Sequence, residues 1–374
     1  MKSKCFSGVF LILYIFANPV IASDTVRIAA IFAKTGIAAT ENAPYLQMVE
    51  LAVDEINGRG GLLDRPVELI VLDNHSTPIG SSMAAKEAIR LGVTAVIGAA
   101  WSSHSLAMAS VLQQAKVPMI TPVSTNPRVT RIGNYIFRVC FTDSSQGTGM
   151  AMFAHSVLGA RTAIVLKIIN EEYSLTLAEF FANAFRRYGG RILFDGSYRN
   201  KAVDFADILD VVKTLGPDVV FVPGYPRDSG LLIKQAVSMG IQTIFLGGDG
   251  LHQIHDFGGD AVEGSFYTTH WHPDVSSEKS RYLQRLYNEK YRKNIVSMNA
   301  PLAYDAVMLL ADAIDRAESL ERAEIRNALE QTAAFQGVTG DITFDDHGDP
   351  LSKNIIIMKL GKRDQEYFKT IRPE

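Results

Sequence analysis

Apolar residues along this chain fall into two alternating patterns, short continuous runs and stretches spaced by three and four. Residues 26–32 read VRIAAIF, a run of strand length. Across 45–57, Leu46, Val49, Val53 and Ile56 share one face of a helix. Gly58 to Gly61 stop that helix, and VELIVL at 67–72 returns as a strand. A helix at 84–91, a strand at 95–97, a helix at 105–114 and a strand at 118–120 continue the rhythm. Strands alternating with helices predict a parallel sheet covered on both faces.

The rhythm then restarts. Strands are expected at 163–166, 191–194, 219–222 and 243–246, separated by helices at 175–188, 205–215 and 231–239. The stretch INGRGGLLDRPVELIVL in the first half has a counterpart, YGGRILF, in the second. The pattern predicts an α/β fold of two similar Rossmann-like lobes with parallel-core sheets, the second starting near Ser144. Long amphipathic helices at 278–292 and 300–317 and late strands at 341–344 and 355–360 follow. No Ser/Gly/Pro-rich tether separates the halves, so repeated crossings would form a multi-strand hinge. The expected organisation is a leader at 1–22, one lobe from 23–143 plus about 273–350, and another from 144–272 plus about 351–374.

Composition changes this picture only at the N-terminus. Lys2 and Lys4 precede an apolar run from Phe6 to Phe16, and Val20-Ile21-Ala22 supplies a small residue before a cut. That is the layout of a cleaved secretory signal peptide, and the run is short for a membrane span. Export through the secretory route is therefore expected. Cleavage would leave Cys140 as the one cysteine, unable to form an internal disulfide. Its setting in YIFRVCF reads as a small buried hydrophobe. A net charge of −3 offers no basic surface for nucleic acid or anionic lipid.

Candidate chemistry gathers at strand ends, where ligands settle in parallel α/β sheets. AVIGAAWSSHS (95–105) and VPMITPVSTNP (117–127) each end a strand in hydroxyl residues, Ser102-Ser103 and Ser124-Thr125. Hydroxyls and free backbone N–H groups at such places suit a carboxylate. Ser102 and Ser103 would also cap the helix at 105–114. Asp249, in FLGGDGLH after the strand at 243–246, is either a turn residue or a fixed negative charge for a ligand ammonium. His252, His255, His270 and His272 lack the spacing of a structural zinc site and read as surface or lobe-edge residues. The first turn, AKTGIAATEN, has one glycine, and no phosphate-binding loop follows, which disfavours a dinucleotide or P-loop cofactor. No serine has the surroundings of a triad nucleophile. The chain is expected to hold a small molecule and return it intact, with no catalytic residue, metal or cofactor.

Together, IFAKTG, ELAVDEINGRGGLLDRPVELIVLD, AVIGAAWSS, VPMITPVSTNP, FTDSSQG, EEYSLTLAEFF, FLGGDG and LAYDAVMLLADAI resemble the leucine/isoleucine/valine-binding proteins. These are type I periplasmic solute-binding proteins serving ABC importers. The likeness runs from Val26 to about Phe344. It implies that Ser102 binds a ligand carboxylate, and that Thr125 and the backbone at Val123 take both carboxylate and ammonium. It places Tyr173, Tyr225 and the ammonium-binding Asp249 on the second lobe, with Ala100, Trp101 and Ser124 nearby. An α-amino acid, an inner-membrane ABC permease and a monomeric state are implied. A periplasmic sensor of the same fold, or a receptor for an amide, urea or aromatic acid, is the alternative. The chain departs from the family in three places. Thr40-Glu41 stands where an aromatic residue is usual, Trp101 replaces a small residue, and Asp249 is one methylene shorter than the usual glutamate. Glu41 is either a solvated loop residue or a group that favours a polar or cationic ligand side chain.

Overall fold

The computed structural model describes residues 25–275 and 277–372. The signal-peptide reading falls outside these residues. The first lobe runs β1 (Val26–Phe32), α1 (Ala39–Gly58), β2 (Val67–Asp73), α2 (Pro78–Arg90), β3 (Ala95–Gly98), α3 (Ser102–Gln114), β4 (Met119–Thr121) and β5 (Ile136–Arg138). Next come α4 (Asp143–Met152), β6 (Thr162–Ile169), α5 (Glu172–Arg187), β7 (Arg191–Arg199), α6 (Ala206–Leu215) and β8 (Val219–Phe221). They are followed by α7 (Pro226–Ser238), β9 (Ile244–Gly247), α8 (His255–Gly258) and β10 (Phe266–Thr269). The remainder comprises α9 (Glu278–Tyr291), α10 (Pro301–Ala317), α11 (Arg322–Glu330), β11 (Phe335–Gly337), β12 (Gly340–Ile342), β13 (Ile355–Leu360) and β14 (Gln365–Ile371).

The first sheet has the order β2-β1-β3-β4-β5 and is wholly parallel. The second repeats that order as β7-β6-β8-β9-β10, also parallel, and adds β13 and β14 antiparallel at one edge. The two α/β lobes thus share one topology. In each, strand order reverses beside the first strand, between β1 and β3 and between β6 and β8, where a crevice opens at the carboxyl ends.

The uniform apolarity of β1 is explained by its two buried faces. Ile28, Ala30 and Phe32 join the core on the α1 side, while Ala29 and Ile31 join a separate cluster with Ala85, Ala88, Met108 and Leu112 of α2 and α3. The late helix α10 packs on α1, β3 and β4, so it covers the first sheet although it follows the second in sequence. The chain therefore crosses between the lobes three times: between Arg138 and Asp143, between Thr269 and Glu278, and between Ile342 and Ile355.

Several boundaries differ from those the sequence predicts. Helix α1 starts at Ala39 rather than 45 and runs through Pro44. A proline this near a helix start removes one hydrogen bond without breaking the helix. Helix α3 starts at Ser102, with Trp101 in the capping position, so Ser102 and Ser103 lie inside its first turn and do not cap it. The late strand at 341–344 shrinks to β12, paired only with β11. Strands β5, β10, β11 and β14 go unpredicted, the first three being only three or four residues long.

Arg138 stands at the first crossing and is fully buried. Its guanidinium donates to the carbonyls of Ser124 (2.5 Å) and Asn126 (2.8 Å), to Thr130 Oγ1 (3.0 Å) and to Asp349 Oδ1 (2.5 Å). One side chain therefore ties the loop after β4 to the third crossing. Replacing Asp349 by Ala would leave that charge buried without its partner. A loss of about 3–5 kcal/mol in unfolding free energy is expected by urea titration, and a loss below about 1 kcal/mol, the level of a surface pair, would show that Arg138 does not depend on Asp349.

Candidate ligand-binding site

Five loops at strand carboxyl ends meet between the lobes. From the first lobe come the β3–α3 loop with Ala100 and Trp101, and the segment after β4 with Val123. From the second come the β6–α5 loop, the β8–α7 loop and the turn after β9. Tyr173 lies in the first turn of α5, Tyr225 immediately precedes Pro226 at the start of α7, and Asp249 opens a short 3₁₀ turn. The loops enclose a cavity of about 280 Å³.

Glu41, Ala100, Trp101, Ser102, Val123, Tyr173, Tyr225 and Asp249 all line this cavity. Ser124 does not. Its hydroxyl is taken up by Ser105 Oγ (2.7 Å) and the Ala100 carbonyl (2.9 Å), so it braces the β3–α3 loop instead of facing a ligand. An extended segment turns successive side chains to opposite sides, which separates Ser124 from Val123. Thr125 is fully buried behind the lining, and its hydroxyl has no hydrogen-bond partner. Glu41 is no solvated loop residue: it sits in the first turn of α1 and its Oε1 accepts the indole N–H of Trp101 (3.0 Å).

The two walls differ in chemistry. On the first, Ser102 and the N-terminus of α3 line the cavity, a favourable end for an anion, and the Ser102 hydroxyl accepts the Asn126 backbone N–H (3.3 Å). On the second, the Asp249 carboxylate accepts Tyr173 Oη–H (3.0 Å) and contacts His270 Nε2 (3.1 Å). The Asp249 backbone N–H donates to Gln146 Oε1 (2.6 Å), and its carbonyl accepts Asn299 Nδ2–H (3.0 Å). Burial lowers the pKa of both His270 and His252, keeping them neutral beside the acid. Neither lysine nor arginine lines the cavity.

Sequence reasoning missed Tyr45, Gly250, His252 and Asn299, which also line the cavity, and His270 behind Asp249. Of the two readings of these histidines, surface or lobe edge, His252 and His270 fit the second: both are buried, and His252 lines the cavity between the lobes. The available signal was their nearness to Asp249 and to the end of an unrecognised strand, β10. Asn299 carries no local signal. Cys140 is buried, and burial pushes its thiol up to about 12, in line with a small hydrophobe.

An aromatic column joins the lobes. Trp101 stacks on Tyr225 at 4.0 Å and 14°, and Tyr225 on Tyr173 at 5.5 Å. At the rim, Arg128 pairs with Glu172 (2.7 Å), and Asn126 Nδ2–H donates to Thr176 Oγ1 (2.8 Å). The cleft is closed.

Two like α/β lobes closed on a small cavity with oppositely polarised walls define a bilobal receptor for small solutes. The chain belongs to the periplasmic binding protein family, whose model matches residues 25–365. It is 27% identical over 369 residues to Leu/Ile/Val-binding protein homolog 1 of Brucella melitensis, covering 97% of each chain. Its structure resembles leucine-binding protein LivK of Thermotoga maritima with a TM-score of 0.87 and 35% identity, covering 93% of this chain and 99% of that one. It also resembles the branched-chain amino acid transporter substrate-binding protein LivJ of Streptococcus pneumoniae in complex with isoleucine. There the TM-score is 0.88 at 27% identity, covering 93% of this chain and 100% of the other.

Glu41 gives a pH test of this geometry. Burial, reinforced by the charge of Asp249 and opposed by the Trp101 hydrogen bond, raises its pKa from 4.5 to about 8. The folded chain then binds a proton at Glu41 that the unfolded chain has lost between those values. The resulting stability is full below pH 4.5 and is lost as pH rises through about 8. Calorimetric melting of wild type and Glu41→Gln should show the wild type losing ground to the variant across that window. A difference that stays constant with pH contradicts a desolvated Glu41.

Proposed function

We propose that the chain is the exported solute-binding protein of an ABC importer and captures an α-amino acid by cleft closure. The carrying observation is the pair of opposed walls, Ser102 with the α3 N-terminus facing one way and Asp249 facing the other. A zwitterion with adjacent charges matches that pair. The ligand carboxylate is held by Ser102 Oγ and backbone N–H groups of α3. The ammonium is held by Asp249 and the Val123 carbonyl.

The first lobe receives the ligand, and the second swings in with Asp249, Tyr173 and Tyr225. Contacts to both lobes exist only in the closed form, so the ligand shifts the population toward it. Closure excludes water and strengthens the charge-assisted hydrogen bonds. The relatives named as Leu/Ile/Val-binding and transporter substrate-binding proteins support delivery to an inner-membrane permease. Among the described residues, no helix is long and apolar enough to cross a membrane. The leader-like residues 1–22 support export, and in this reading the chain acts in the periplasm as a monomer that releases its ligand unchanged.

Thermal-shift screening of the mature chain against L-amino acids should find a ligand that raises the melting temperature, since it binds the native state. With that ligand, Asp249→Ala should weaken calorimetric binding by more than about tenfold, as truncating one partner of a buried charge pair costs about 2–5 kcal/mol. Unchanged affinity in the variant contradicts the ammonium assignment.

A further inference from the structure

A second cavity, of about 630 Å³, adjoins the first. The two share Glu41, Trp101 and Tyr225, which therefore form the partition between them. The inner cavity is at or below the small end of the range for ligand pockets, about 300–1,000 Å³. Once an amino-acid head group lies between Ser102 and Asp249, little room is left. A ligand side chain of any length must run toward this partition.

The partition is polar. It presents the Glu41 carboxyl group, which meets the Trp101 indole N–H through Oε1. It also presents the hydroxyl of Tyr225, a residue only 8% exposed, and that hydroxyl has no hydrogen-bond partner. Beyond it, the outer cavity is lined by Asp228 and Asp256 and by Lys201 and Arg227. Arg227 is already paired with Asp228 at 2.5 Å. Across both cavities the acids outnumber the bases.

An aliphatic side chain fits this wall poorly. It would cover the Tyr225 hydroxyl and the Glu41 oxygen not bonded to Trp101 without offering either a partner, and buried polar groups left unpaired are costly. The α-ammonium cannot serve both acids, since Asp249 already receives it. A second positive group on the ligand would hold the Glu41 carboxyl ionised against the desolvation that otherwise keeps it protonated.

We propose that Glu41 is a specificity-determining residue, and that the ligand is an α-amino acid whose side chain ends in a cationic nitrogen directed at Glu41 beside the Trp101–Tyr225 stack. This rests on the amino-acid reading of the preceding subsection. The cationic end lies over aromatic faces as well as against a carboxylate, two interactions that favour amino and guanidinium groups. A role for Glu41 limited to orienting Trp101 is separable, because glutamine keeps an acceptor for the indole N–H while removing the group that can ionise against a ligand cation.

The test is calorimetric binding of L-lysine, L-ornithine, L-arginine, L-glutamine and L-leucine to the mature wild type, to Glu41→Gln and to Asp249→Ala. The expected result is binding of at least one basic amino acid by the wild type, weakened about tenfold or more in Glu41→Gln. Leucine binding, if measurable, should not weaken in that variant. A wild type that binds leucine or glutamine in preference to all three basic amino acids overturns the inference and leaves the amino-acid function standing. So does a basic ligand whose affinity is unchanged in Glu41→Gln. A wild type that binds no amino acid overturns both readings. Circular dichroism of each variant confirms that lost binding is not lost folding.

Discussion

The site is organised around one buried carboxylate that has no permanent cation for company. Asp249 lies between two lobes, fixed by a tyrosine hydroxyl and a neutral imidazole. Those bonds set its direction without neutralising it. A charge in such a place is tolerated when a counter-charge arrives with the ligand. The closed cleft then follows, because the water that would otherwise solvate Asp249 is excluded only when the second lobe meets the first. The opposite wall completes the match with helix N–H groups and a serine hydroxyl, which favour an anion within reach of the same small molecule.

The fold makes this meeting reproducible. Each lobe carries the same parallel strand order, so each opens its crevice at the same topological place and supplies its loops from the same strand ends. Three crossings join the lobes, and Arg138 binds one of them to the loop that carries Val123 and Thr125. In the proposed function, movement between the lobes is confined to these crossings, and capture is a change in the distance between two preformed surfaces.

Much of this was legible in the residues. The two interleaved periodicities announce a pair of parallel α/β lobes, because strands buried on both faces must be apolar throughout. The hydroxyls after β3 and β4 and the glycine-flanked Asp249 mark strand ends, and their types announce a zwitterion. What was not legible depends on contacts distant in sequence. His270 follows the four-residue strand β10, too short for periodicity to reveal, so its place behind Asp249 stayed hidden. Asn299 reaches the site from the stretch before α10, with no motif. Glu41 lay ahead of the helix expected from 45, whereas α1 begins at Ala39 and runs through Pro44. Ser124 shared its residue type with its neighbours but not its direction, which only the local backbone decides.

A crystal structure of the mature chain with its natural amino acid bound would test the central claim most directly. The account predicts the ligand ammonium on the Asp249 carboxylate and its carboxylate at Ser102 and the α3 N-terminus, both inside the closed cleft. A ligand bound outside that cleft, or one lying in it with Asp249 turned away from its ammonium, would contradict the account.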